Sequence, residues 1–150
     1  MTVAEHSRKQ SNAVKGAKMA AADFAALFVR LREILQQHAG QFCVADDTAS
    51  CYCLEANPGP ATRLARRGNA NRSKIPVAWI QLGKTYVSFH LMALYGCKQL
   101  LDGMSKELRA RMQGKTCFNF RTDNERLFRE LETLTAEGLS AFRQAGFIVE

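Results

Sequence analysis

The sequence lacks the short patterns by which several common protein classes are recognised. No apolar run approaches the roughly 20 residues that a membrane-spanning helix needs. There is no Cys-x-x-Cys pair and no pair of neighbouring histidines, so the usual zinc motifs are absent. No glycine-rich run precedes a Gly-Lys-Ser/Thr triplet, and no Gly-x-Ser-x-Gly elbow is present. These absences argue against a membrane protein, a zinc domain, a P-loop nucleotide-binding protein and an α/β-hydrolase.

Cysteines are odd in number, and no apolar leader of the secretory type is visible near the first residue. The five cysteines therefore suit reduced thiols, and we expect a cytoplasmic protein that does not associate with membranes. A hydrophobic content of 47% and a charged content of 23% are ordinary for a globular chain. At 150 residues the chain is long enough to bury a core of its own.

The positive charge is concentrated in two segments. Residues 1–22 carry four basic residues and one acidic residue with no sustained apolar period, which predicts a flexible arm before a single domain at 23–150. Residues 56–75 carry five basic residues and no acid, and we expect a long basic loop with room for a helical turn at 61–67. Either segment could attract nucleic acid or phosphate, or could simply aid solubility. The loop candidates for a phosphate contact are Arg63, Arg66, Arg67, Arg72 and Lys74.

Two apolar stripes with helical spacing enclose a series of short alternating segments. The stripes lie at residues 24–35 and 127–142. Between them, residues 41–55 resemble a hairpin, residues 77–92 a pair of strands, and residues 117–120 one more strand. We therefore predict an α+β fold, a two-layer sandwich in which an antiparallel sheet carries two long helices on one face.

The alternation is clearest at residues 85–92. The side chains at 87, 89 and 91 are apolar and are predicted to face the helices, whereas Ser88 and His90 should face the opposite side. If residues 117–120 form a neighbouring strand, the outward side chains gather into a polar patch with aromatic walls. Such a patch suits a small anionic or planar ligand, and it suits the interface of a homodimer equally well. The candidate ligand-binding residues are Trp79, Tyr86, Ser88, His90, Asn119 and Arg121.

No arrangement of nucleophile, base or paired carboxylates is evident. Ser88 and His90 share a strand face, but residues two apart on a strand are about 7 Å apart, so we expect no hydrogen bond between them. The acidic residues form no pair on a predicted pocket wall, which leaves glycosidase and two-metal hydrolase chemistry without support. We therefore predict no catalytic residues.

The hairpin cysteines are a second group of chemically active side chains. A three-residue turn at 46–48 would place Cys43 opposite Cys51, with Cys53 on the same face, whereas a two-residue turn would break up the group. Their spacing matches no zinc pattern, and we favour small buried apolar side chains over metal ligands.

Four segments carry a resemblance to a known family. They are Lys-Thr-Tyr-Val-Ser-Phe-His-Leu-Met at 84–92, Tyr-Gly at 95–96, Lys-Glu-Leu-Arg-Ala-Arg-Met-Gln-Gly-Lys at 106–115 and Cys-Phe-Asn-Phe at 117–120. They resemble the YdhG-like family of small bacterial domains of unknown function. The resemblance implies a frataxin-like sandwich of two helices against an antiparallel sheet.

Some relatives of the frataxin-like fold are described as iron chaperones, which use acidic residues along the first helix and the adjoining strand edge. At the corresponding edge this chain offers only Asp46, Asp47 and Glu55. Iron requires several convergent carboxylates, so we expect no cofactor and keep an iron or metal carrier as an alternative. The main prediction is a non-enzymatic module that binds a ligand or another protein through the polar face of its sheet. A further alternative is a nucleic-acid-associated protein that acts through its basic arm and loop.

Overall fold

The computed structural model of the chain describes residues 21–65 and 73–149. These residues form an α+β fold, in which an antiparallel sheet packs against an N-terminal helix and a long C-terminal helix. The first of these helices, α1, is Ala21–Gln36, and the last, α5, is Glu125–Gln144. The fold class predicted from the apolar periodicity is confirmed at this level. The arm predicted at residues 1–22 lies outside the described residues, apart from its last two residues, which belong to α1.

The described sheet is a meander, because each strand pairs with the next strand along the chain. The strand order is β1-β2-β3-β4-β5, and a short β6 pairs with the far end of β2. The strands are β1 Cys43–Asp47, β2 Cys51–Pro58, β3 Ile75–Leu82, β4 Val87–Leu91, β5 Cys117–Phe120 and β6 Ile148–Val149. The short α-helices are α2 Pro60–Ala65, α3 Ala93–Gly96 and α4 Lys106–Arg109, and the two 3-10 helices are Ala39–Gln41 and Lys98–Leu101.

The turn between β1 and β2 differs from the prediction. The acidic residues predicted in the turn belong to β1 instead, and the connection is residues 48–50. The Thr48 hydroxyl accepts hydrogen bonds from the backbone N–H groups of Ser50 at 3.3 Å and Cys51 at 3.0 Å. A threonine hydroxyl can thus organise a turn that a count of acidic residues does not reveal.

The long loop predicted at residues 56–75 is shorter than expected. Strand β2 continues to Pro58, because Asn57 and Pro58 pair with β6, and α2 follows at once. The helical turn predicted at 61–67 corresponds to α2, which begins at Pro60, a favoured first residue of a helix. Residues 66–72 lie outside the described residues.

The core lies between the sheet and the two long helices. The predicted alternation in β4 is confirmed, since Val87, Phe89 and Leu91 are fully buried. They are joined by buried aromatic residues from α1, α5 and the other strands, among them Phe28, Tyr52, Phe118, Phe120 and Phe128. Burial of this many large apolar groups is the main source of the fold's stability.

Two polar contacts, one from α1 and one from the residue that follows it, reach α5 at the edge of the core. The Arg30 guanidinium donates to the Glu125 carboxylate at 2.8 Å, and the Gln37 amide donates to the Glu132 carboxylate at 2.8 Å. Arg30 also lies 5.6 Å from the centroid of the Phe128 ring. Each contact is partly exposed and contributes little to stability alone. Together they fix the position of one helix relative to the other along their axes. Within the described part of the chain, no helix combines the length and the apolar content required to cross a membrane.

Candidate binding site on the outer face of the sheet

The outer face is the face of the sheet turned away from α1 and α5. Strand register brings its side chains into rows that cross the strands. One row is Cys53, Trp79, His90 and Cys117, each paired with the next. The adjacent row is Cys51, Gln81, Ser88 and Asn119. Five of these residues are linked by a series of side-chain contacts centred on His90, and we call them the outer cluster: Trp79, Ser88, His90, Cys117 and Asn119.

The centre of the outer cluster is a stacked pair of rings. The Trp79 indole and the His90 imidazole lie with ring centroids 4.5 Å apart and planes 8° apart. They are directly opposite residues on β3 and β4, where cross-strand side chains are close enough to touch. The large indole fixes the plane of the imidazole and shields one of its faces from water.

Ser88 and His90 are hydrogen-bonded, and the prediction that they are too far apart is wrong. The His90 Nε2 atom lies 3.1 Å from the Ser88 Oγ atom. The predicted separation of about 7 Å applies to Cα atoms along a strand. Side chains on a strand lean along its direction, and an imidazole is long enough to close the remaining gap. Ser88 is only 7% exposed, so the contact also satisfies a buried hydroxyl.

Cys117 completes the outer cluster, although it was not among the predicted site residues. Its Sγ atom lies 3.8 Å from His90 Nε2, and its S–H group donates a hydrogen bond to the Asn119 Oδ1 atom at 3.4 Å. Cys117 and Asn119 were predicted to share a face of their strand. The missing information was the register that sets Cys117 directly opposite His90.

Burial keeps both reactive groups of the outer cluster uncharged. It lowers the pKa of His90 below its usual value and raises the pKa of Cys117 above its usual value. A cysteine nucleophile requires the opposite arrangement, in which a low thiol pKa yields a thiolate beside an imidazolium. The contact between Cys117 and His90 therefore favours a structural or binding role.

The structure brings four of the six predicted patch residues together. Tyr86 and Arg121 instead lie one residue beyond the paired ends of β4 and β5. The Tyr86 side chain is at the exposed margin of the sheet, and its carbonyl accepts the Gly83 N–H at 2.9 Å in the β3–β4 turn. Both residues form the rim of the outer face.

The predicted pairing of the hairpin cysteines is wrong. Cys43 pairs with Glu55, and a shift in register between Val44 and Asp46 sets Asp46 opposite Cys53. The bulge could not be inferred from residue spacing. Burial, followed by the charge of Glu55, raises the pKa of the Cys53 thiol to about 11. A thiol that stays protonated to this extent is a poor metal ligand.

The acidic residues considered for iron do not converge. Asp46 and Asp47 are consecutive in β1 and point to opposite faces of the sheet. The Asp47 carboxylate accepts from the Arg32 guanidinium at 3.3 Å, whereas Asp46 and Glu55 lie on the outer face. In residues 21–65 and 73–149, no group of three or more His, Cys, Asp or Glu side chains is arranged to hold a metal ion.

The basic loop residues are only partly described. Arg63 is exposed on α2, and Lys74 is exposed just before β3. The other three candidates, Arg66, Arg67 and Arg72, lie outside the described residues. A nucleic-acid surface at this loop therefore stays a prediction.

Neither the family models, nor the curated proteins, nor the solved structures contain a match to this chain. The resemblance to the YdhG-like domains thus stays a prediction as well.

Proposed function

We propose that the chain is a non-enzymatic binding module whose outer face takes a second copy of the same chain. The observation that carries this proposal is the outer cluster itself. Its side chains are ordered by stacking and hydrogen bonds on a sheet face that both long helices leave free. Tryptophan and other aromatic groups with a few paired polar groups are typical of the centre of a protein interface.

The distribution of charge supports a symmetric arrangement. The outer face carries Asp46 and Glu55 at its β1–β2 side and Arg121 at its β5 side. Arg121 lies two side-chain rows along the strands from Asp46, so a two-fold axis that sets Asp46 of one copy over Arg121 of the other would be inclined to the strands. Asp46 would then face Arg121 of the other copy, and the Trp79 and His90 side chains of the two copies would meet at the centre. One patch would complement itself, as a two-fold interface requires.

The protonation states of the outer cluster also favour binding over catalysis. A neutral imidazole and a neutral thiol can be covered by a partner without the cost of burying a charge. The same neutrality leaves Cys117 weak as a nucleophile.

The finer architecture is part of the proposal. An N-terminal helix, a five-stranded meander and a C-terminal helix on the same face as the first are what a frataxin-like, YdhG-like sandwich would have. The outer face of such a sandwich is its largest flat surface. An iron or metal carrier is not favoured for this chain, because Asp46, Asp47 and Glu55 do not converge.

The test is the oligomeric state of charge-swapped variants, measured by sedimentation equilibrium from about 10 μM to about 500 μM. We expect the wild-type chain to dimerise, and Arg121→Glu or Asp46→Arg alone to weaken the dimer about tenfold or more. The double variant should recover most of the affinity, because the charges again face opposite signs. Trp79→Ala should weaken dimerisation about 30-fold, as expected for a central aromatic residue.

Arg129→Glu on α5 is the matched control, since this side chain is 78% exposed and lies on the opposite side of the molecule. It should leave the dimer unchanged. A wild-type chain that stays monomeric over the whole range would contradict the proposal. If the amides around Trp79 and His90 of that monomer then shift on addition of an aromatic carboxylate, the small planar or anionic ligand becomes the better interpretation.

A further inference from the structure

A hollow lies apart from the outer face, in the part of the chain between β4 and β5. It is open to solvent on one side and is lined by α3, the 3-10 helix Lys98–Leu101, the end of α4 and the segment that follows it. Its volume is about 300 Å³. Ligand pockets usually measure about 300–1,000 Å³, so this hollow suits a small ligand.

The floor of the hollow is apolar. It is formed by Leu94, Leu101 and Met112, with the Tyr95 ring at its edge. Tyr95 is 60% exposed, one of the most exposed large hydrophobic residues in the described structure. Large apolar surface left beside a concavity is a feature of ligand sites.

The rim of the hollow is positively charged. Lys98, Arg109 and Lys115 are among its lining residues, and none of the eight lining residues is acidic. Across the described ranges, no salt bridge involves any of these three cations. The acid on α4, Glu107, is instead directed to Arg126 on α5, with 3.3 Å between the charged atoms. In the described part of the chain, none of the three rim cations is therefore paired with an acidic side chain.

Two of the rim cations are held in place by uncharged partners. The Arg109 Nη2 atom donates to the Leu101 carbonyl at 3.0 Å, and the Lys115 Nζ atom lies 5.5 Å from the centroid of the Tyr95 ring. Neither contact neutralises the charge. Both cations therefore remain able to bind an anion without first giving up an acidic partner.

The wall of the hollow is tied to the sheet. The Gln113 N–H donates to the Cys117 carbonyl, and the Asn119 N–H donates to the Arg111 carbonyl, each at 2.8 Å. These bonds fasten the segment after α4 along the edge of β5. Because the wall is fixed before a ligand arrives, little ordering cost opposes binding.

We propose that this hollow binds a small amphiphilic carboxylate, with its carboxylate held by Lys98, Arg109 and Lys115. Its apolar body would lie on Leu94, Leu101 and Met112. An anion without an apolar body would leave the floor exposed, and an apolar molecule without a negative charge would leave three cations unmatched. Only a molecule that carries both groups satisfies the two halves of the site.

Octanoate is a suitable probe, titrated into the full chain while amide shifts are recorded by NMR. We expect saturable shifts at residues 94–101 and 109–115, with a dissociation constant between about 0.1 and about 5 mM. Acetate has the carboxylate without the chain, and octylamine has the chain with the opposite charge. Neither should cause saturable shifts in these two segments.

The variants Lys115→Gln and Lys98→Gln each remove one exposed rim cation. Each should weaken octanoate binding about threefold to tenfold, and the double variant should weaken it further. Lys106→Gln is the matched control, since it removes the same charge from an exposed position on α4 outside the hollow. It should leave binding within about twofold of the wild-type value.

Several results would overturn the proposal. They are an absence of saturable shifts, equal binding by acetate or octylamine, unchanged binding in the double variant, and shifts that map to the outer cluster. Trp79→Ala separates this site from the proposed dimer interface. Octanoate binding should survive Trp79→Ala whether or not the chain dimerises, and a loss of binding in that variant would count against a separate site.

Discussion

The Trp79 indole covers one face of the His90 imidazole, with the two ring centroids 4.5 Å apart and their planes 8° apart. The stack joins β3 to β4 on the side of the sheet opposite the helices. It also removes water from an imidazole that holds hydrogen-bond contact with Ser88 and Cys117. One indole therefore influences both the protonation of His90 and the shape of the outer face.

The first prediction concerns the pKa of His90. Burial lowers it below the usual value of about 6.5. We expect Trp79→Ala to raise the His90 pKa towards that value, because the open ring face becomes hydrated. The measurement is an NMR titration of the imidazole Cε1–H signals. His38, whose pKa burial also lowers, is the internal control and should not respond to Trp79→Ala.

The second prediction concerns stability at low pH. The folded-state pKa of His90 lies below its unfolded value, so the unfolded chain takes up a proton first as the pH falls. The free energy of unfolding should therefore decrease as the pH drops from about 6.5 towards the folded pKa. His38 acts with the same sign.

Urea unfolding at pH 7.5 and 5.5 tests this prediction. His90→Gln should reduce the loss of stability between the two pH values, because glutamine does not titrate. His38→Gln should reduce it independently, and the two effects should add. A His90→Gln chain with the full wild-type acid sensitivity would show that His90 is not desolvated.

The third prediction concerns the reactivity of the thiols. With a pKa of about 11, Cys53 contains very little thiolate at pH 8, and its alkylation should be about a hundredfold slower than that of free cysteine. Cys97 is buried with a raised pKa and should also react slowly. Iodoacetamide labelling followed by peptide mass spectrometry measures the rates. In urea all five cysteines should react alike, and rapid labelling of folded Cys53 would contradict its raised pKa.

The fourth prediction concerns two glycines with different surroundings. A Cβ atom at Gly59 would collide with the Gly146 carbonyl oxygen, a backbone atom that cannot rotate away. Gly59→Ala should therefore destabilise the fold by at least about 2 kcal/mol. A Cβ atom at Gly103 would meet nothing within 4 Å, so Gly103→Ala should change stability by less than about 1 kcal/mol. The difference in urea midpoint between the two variants is the measurement.

The parts of the fold that sequence predicts are those with a local period. The apolar side chains of α1, α5 and β4 repeat at helical or strand spacing, and these elements lie where the spacing places them. The turn after β1 has no such period. Its position depends on the Thr48 hydroxyl, which competes with the neighbouring acidic residues for the role of turn former.

The candidate site shows which contacts can be predicted from the sequence and which cannot. The alternation in β4 is sufficient to place Ser88 and His90 on the outer face. The contact of His90 with Cys117 depends on the register between β4 and β5. This register cannot be predicted from the sequence, because 25 residues separate the two strands. The bulge in β1 has the same origin, because one extra residue changes every pairing beyond it.

The two contacts between α1 and α5 have a geometric consequence. Arg30 contacts Glu125. Gln37, which is seven positions after Arg30, contacts Glu132, which is seven positions after Glu125. The helices therefore run in the same direction. The parallel direction follows from the odd number of strands between the two helices. Each turn of the meander reverses the direction of the chain, so β1 and β5 run the same way, and so do the helices before and after them. Their macrodipoles are therefore parallel, and Asp23 and Glu125 place an acid in the first turn of each helix. Inserting or deleting one strand would invert α5 and make the two macrodipoles antiparallel.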